Sequence, residues 1–73
     1  MESTVASFQI LLNGEPRDVP AGRTVAGLLA ELGLDPRLVV VEYNREILDR
    51  TRFEKTELRA GDILELVHFV GGG

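Results

Sequence analysis

The stretch TVAGLLAELG, residues 24–33, decides the fold because its apolar side chains recur with the spacing of an amphipathic helix. Thr24 can cap the first turn with its hydroxyl, and Gly33 can end the helix in a left-handed conformation. Gly27 costs a helix about 1 kcal/mol relative to alanine, and we expect a close approach of the helix to a sheet to explain it. The apolar stripe consists of Val25, Leu28, Leu29 and Leu32. A helix with one such stripe needs a second layer to cover it.

The residues before this helix predict a β-hairpin. Residues 8–12 place an apolar side chain at every second position, which is the period of a strand. Asn13-Gly14 is a strong signal for a two-residue turn, and the return strand is predicted over residues 15–19. Pro16 has no backbone N–H to donate, so we expect this second strand at an edge of the sheet.

The residues after the helix predict further strands. Residues 38–43, LVVVEY, are rich in β-branched side chains, as expected for a central strand covered on one face. A turn at residues 44–46 is followed by at most a short strand at residues 47–49, and residues 51–58 are polar and predict a loop with a helical turn. The last strand is predicted from Ile63 to Phe69.

This order of elements predicts an α+β domain with a β-grasp fold, in which one mixed sheet packs on one main helix. In that fold the first and last strands lie side by side at the centre of the sheet. We expect the domain to cover residues 1–70, with residues 1–7 as an N-terminal extension or the start of the first strand, and residues 71–73 to form a flexible glycine tail.

Composition excludes several classes of protein. The 73 residues suit one small domain, and the absence of cysteine excludes a disulfide scaffold or a cysteine-based zinc module. A net charge of −4 disfavours binding to nucleic acid and favours a basic protein partner. We identify neither a secretory signal nor an apolar run long enough to cross a membrane, so a cytoplasmic location is expected.

Gly71, Gly72 and Gly73 directly follow the apolar run of the last strand. Glycine has no Cβ, so such a tail can enter a narrow channel and present the carboxylate of Gly73 to chemistry inside another protein. The alternative is a frayed terminus, which is common in small domains. The tail by itself leaves both interpretations open.

The other candidate residues predict docking rather than catalysis. Alternation along the last strand places Val67 and Phe69 on the face away from the helix, where Phe69 can anchor a partner or simply pack on a neighbouring side chain. With Val70 they form the predicted docking segment. His68 is the single histidine and cysteine is absent, so we predict no catalytic residue and no metal site.

The closing stretch GDILELVHFVGGG, residues 61–73, resembles that of the ThiS family, the ubiquitin-like sulfur carriers of thiamine biosynthesis. The hairpin at residues 12–15, the helix at residues 24–33 and the segment VEYN at residues 41–44 are also similar to that family. The VHFV-GGG ending is the specific part of the resemblance, whereas many β-grasp domains share the hairpin and helix patterns.

The resemblance implies that Gly73 is adenylated on its carboxylate and then converted to a thiocarboxylate. The implied partners are a ThiF-like adenylating enzyme, a sulfur donor such as a persulfide protein, and thiazole synthase, which would receive the sulfur. ATP and Mg would be used by the activating partner, and no cofactor would be bound by the carrier. The chain would then be a protein co-substrate and not an enzyme.

Three other functions stay open at this stage. The small subunit of molybdopterin synthase has the same fold and a diglycine end, although proline is more usual in its tail. A ubiquitin-like protein modifier would form an isopeptide bond, but Lys55 is the single lysine, so chain formation is poorly supported. The third is an interaction domain with an inert tail.

Overall fold

The computed structural model describes residues 6–69, and in these residues five strands form one mixed sheet that packs on a single α-helix. The elements are β1 (Ser7–Leu12), β2 (Glu15–Pro20), α1 (Val25–Glu31), β3 (Val39–Tyr43), β4 (Glu46–Ile47) and β5 (Ile63–His68). The strand order is β2-β1-β5-β3-β4, with β1 and β5 parallel and the other neighbours antiparallel. This is the predicted β-grasp fold, with the first and last strands adjacent at the centre.

Both ends of α1 follow the sequence prediction. The Thr24 hydroxyl accepts a hydrogen bond from the Gly27 N–H at 3.1 Å, which satisfies one of the free donors of the first turn. Gly33 has a φ of 74°, so it ends the helix in the left-handed region.

The expected reason for Gly27 is wrong. A Cβ at this position would lie 2.8 Å from Cδ of Arg23, and no atom of the sheet is among its near neighbours. The Arg23 side chain instead runs past Gly27 to Glu31, where Nη1 and Oε1 are 2.7 Å apart. Gly27 therefore leaves room for an arginine on the helix surface.

The two hairpins turn tightly at their tips. Asn13 and Gly14 both have positive φ, and Pro16 lies in the edge strand β2, as predicted. At the second hairpin Asn44 and Arg45 both have positive φ, 51° and 74°, which makes a two-residue turn. The turn is therefore one residue shorter than predicted, and β4 covers Glu46–Ile47 rather than residues 47–49.

The core lies between α1 and one face of the sheet, and the loop between β4 and β5 closes it. That loop contains a 3₁₀ turn at Arg50–Arg52, and its carbonyl oxygens at Phe53 and Thr56 accept hydrogen bonds from the first turn of α1. The buried apolar residues are Ile10, Val19, Val25, Leu28, Leu29, Val39, Val41, Phe53, Leu58 and Leu64. The loop predicted as polar thus supplies two core side chains.

Candidate functional site

Strand β5, which leads to the glycine tail, is held on both sides. It pairs with β1 at Ile63 and Leu64 and with β3 along five residues from Leu64 to His68. The Phe69 N–H donates a hydrogen bond of 2.7 Å to the Leu38 carbonyl oxygen, so the chain stays fixed to the end of the described residues. The predicted tail residues Gly71, Gly72 and Gly73, and the predicted docking residue Val70, lie outside the described residues.

The turn of the first hairpin also fixes β5, through Asn13. Its side-chain Oδ1 accepts a hydrogen bond of 2.7 Å from the Leu66 N–H, and its own N–H donates to the Leu64 carbonyl oxygen at 2.9 Å. Asn13 therefore extends the β1–β5 pairing past the end of β1, toward the end of β5 that leads to the tail.

The base of β5 is fixed by the carboxylate of Asp62, which is only 8% exposed. Oδ2 accepts hydrogen bonds from the Tyr43 hydroxyl at 2.6 Å and the Arg59 N–H at 2.8 Å, and Oδ1 accepts one from the Asn44 amide at 3.2 Å. Burial and the bond to this carboxylate raise the pKa of Tyr43 to about 12. Both ends of β5 are thus tied to other elements.

Side chains alternate along β5 in the predicted way up to His68. Leu64 is fully buried and Leu66 packs against the core, whereas Val67 is 56% exposed and Phe69 53% exposed. His68, which alternation places toward the helix, is exposed because it lies at the end of the strand. Val67 and Phe69 are therefore available to a partner next to the start of the tail.

Sequence reasoning missed that Val67 belongs to a larger apolar surface. We call the side of the sheet away from α1 the open face. Val40 lies directly opposite Val67, and Ile47 lies opposite Glu42 on the same face, with Ile47 68% exposed. The period-two pattern of β3 and β4 contained this signal, but the pairing register was needed to bring the residues together. Exposed apolar side chains grouped on one face mark interaction sites more often than single exposed residues do.

No group of three or more histidine, cysteine, aspartate or glutamate residues within residues 6–69 is placed to hold a metal ion. Three concavities lie around the β4–β5 loop, and no histidine lines any of them. No helix in the described part of the chain is long and apolar enough to cross a membrane.

The fold and the strand that leads to a glycine end define a β-grasp domain of the ubiquitin-like class. Residues 10–73 match the model of the ThiS family. The chain therefore belongs to the ThiS family, the sulfur carriers of thiamine biosynthesis.

Individual relatives agree with this assignment. The chain is 46% identical over 50 residues to the sulfur carrier protein ThiS of Bacillus subtilis, a match that covers 68% of this chain and 76% of that protein. The crystal structure of a thiamine biosynthesis protein (ThiS) from Geobacter metallireducens superposes with a TM-score of 0.76 at 35% identity, over 90% of this chain and all of that one.

A thiazole synthase of Paramagnetospirillum magneticum is 45% identical over 66 residues, which cover 90% of this chain. The chain spans only a fifth of the length of that synthase. A domain similar to this chain thus forms part of a larger thiazole synthase polypeptide.

Proposed function

We propose that the chain carries sulfur as a thiocarboxylate on Gly73 and delivers it to thiazole synthase for the thiazole ring of thiamine. The observation that carries the proposal is the family match through residue 73, because the matched segment includes the glycines that follow β5. The fixed strand β5 supports it, since pairing on both sides holds the residues that lead to the tail. In this proposal residues 1–70 are the domain and residues 71–73 are the threading tail.

The chemistry requires activation of the carboxylate. An α-carboxyl group has an ordinary pKa of about 3.3–3.7, so it is ionised at neutral pH and resists attack by a nucleophile. A ThiF-like enzyme would use ATP and Mg to form the acyl adenylate with loss of pyrophosphate. Sulfide then attacks the acyl carbon and AMP leaves. If the donor is a protein persulfide, attack gives an acyl disulfide, and a second thiol releases the thiocarboxylate.

Mass spectrometry of the protein isolated from cells tests this function directly. We expect one carboxyl oxygen of Gly73 to be replaced by sulfur in a fraction of the molecules. The Gly72→Val variant places a branched side chain in the tail and is expected to fold normally but to acquire no sulfur. Normal thiolation of this variant would contradict the threading role of Gly72. Supplying the thiolated protein to thiazole synthase and to molybdopterin synthase identifies the acceptor.

In the same proposal Val67, Phe69 and Val70 contact the activating enzyme. Fully burying a phenylalanine is worth about 1.5–3 kcal/mol, and the structure leaves 53% of Phe69 exposed, so docking can gain roughly half of that. Phe69→Ala should therefore raise the Kd for the activating enzyme by about four- to twelvefold. Its melting temperature should stay close to that of the wild type, because Phe69 lies outside the core. An unchanged Kd would exclude Phe69 as an anchor.

A further inference from the structure

Two glutamates face each other at the centre of the open face. The sheet register places Glu42 of β3 directly opposite Glu65 of β5. Side chains paired in this way have Cβ atoms about 5 Å apart, and like charges in such a pair destabilise a sheet. The register thus sets two like charges opposite each other in the isolated domain.

No arginine or lysine within residues 6–69 forms an ion pair with either of these two carboxylates. All eight arginine and lysine side chains belong to the described residues 6–69. The ion pairs formed in this range join Arg17 and Arg23 to Glu31, and Arg37 to Asp35. Glu42 and Glu65 thus have no ion-pair partner among the side chains described.

The surroundings of the pair are apolar. Ile63 and Val67 lie two residues before and after Glu65 and so share its face, and Val40 has the same relation to Glu42. Ile47 pairs across the strands with Glu42. A partner that covers these apolar side chains also removes water from the two carboxylates, and buried charges without a counter-charge are strongly unfavourable.

We infer that the open face docks on a partner protein through an arginine that enters between Glu42 and Glu65 and is surrounded by apolar side chains. The planar guanidinium carries five N–H donors and can bond to two carboxylates at once, which a lysine ammonium does less well. The net charge of −4 also favours approach to a basic surface. The inference rests on the proposed function, because it assigns the arginine to the activating enzyme that must hold the domain while the tail reacts.

The test compares two double variants that change the net charge equally. Glu42→Gln with Glu65→Gln removes both charges of the open face, and Glu54→Gln with Glu57→Gln removes two charges of the exposed β4–β5 loop. The Kd of each for the activating enzyme is measured by calorimetry at physiological ionic strength. We expect at least tenfold weaker binding for the first and less than a twofold change for the second. Melting of the first variant should occur at the same or a higher temperature, since a like-charge pair is removed.

Equal or tighter binding of the open-face variant would overturn the inference. An equal loss of affinity in the control variant would also overturn the inference, because that result reflects net charge alone. Absence of binding by the wild-type protein would overturn it as well. Thiocarboxylate formation on the wild-type protein is followed separately. If the wild type acquires sulfur while the open-face variant binds normally, the arginine contact is refuted and the proposed function is still supported. A wild type that never acquires sulfur contradicts the proposed function itself.

Discussion

Replacement of Asp62 by alanine tests how the base of β5 is held. The change removes a carboxylate that accepts three hydrogen bonds, from Tyr43, Asn44 and the backbone of Arg59. Two of these donors are side chains that can turn toward water, whereas the Arg59 N–H belongs to the tight turn before β5. The loss in the free energy of unfolding should therefore be smaller than the summed contribution of three charge-assisted hydrogen bonds.

The structure allows an estimate of the loss. Hydrogen bonds to a charged group contribute about 1.5–3 kcal/mol each, and discounting the two donors that can rehydrate leaves about 2–4 kcal/mol. A domain of this length has a free energy of unfolding of about 4–11 kcal/mol. Asp62→Ala should thus remove a large fraction of the stability and lower the melting temperature by roughly 10 °C or more.

Urea denaturation followed by circular dichroism measures this effect. Asp18→Ala is the matched control, because Asp18 is an exposed aspartate in the edge strand and forms no side-chain hydrogen bond among those described. We expect it to change the free energy of unfolding by less than about 0.5 kcal/mol. Equal losses in the two variants would refute the assignment of Asp62 as the anchor of β5.

Two further predictions concern stability. The Tyr43 pKa rises from 10 in the unfolded chain to about 12 in the fold, so its contribution is complete below pH 10 and is lost as the pH rises to about 12. Denaturation in urea at a series of pH values should show this loss in the wild type and not in Tyr43→Phe. Gly27→Ala should stabilise the domain by up to about 1 kcal/mol, reduced by displacement of the half-buried Arg23 side chain that pairs with Glu31. Gly33→Ala should destabilise the domain because the φ of Gly33 is 74°. Thermal melting of both variants decides this, and a stabilised Gly33→Ala would contradict the helix end described.

Local signals in the sequence were sufficient for the helix and the first hairpin. These signals determine the backbone conformation of only a few neighbouring residues: Thr24 and Gly33 at the ends of α1, and Asn13-Gly14 at the turn. The start of β4 was missed because Arg45 has a positive φ. Arginine rarely adopts this conformation, so the residue type gives no signal for the two-residue turn. Phe53 and Leu58 were missed as core residues because their spacing in an irregular loop has no period.

The candidate site was predictable to the extent that one strand defines it. Alternation identified Val67, whereas the roles of Val40 and Ile47 depend on which residues lie opposite each other on separate strands. The Glu42–Glu65 pair likewise joins residues far apart in sequence. Charge patterns along one segment cannot reveal it, because the register is set by the packing of the whole sheet.

The central position of β5 links the integrity of the fold to the presence of the tail. The β1–β2 hairpin and the β3–β4 hairpin do not pair with each other, and β5 alone joins them into one sheet. A hairpin by itself is at best marginally stable in water. A substitution that disrupts β5 is therefore expected to unfold the whole domain and to leave the tail without a folded body. An unfolded chain lacks the surface that the sheet presents to a partner, so it would not compete with intact molecules for the same partners.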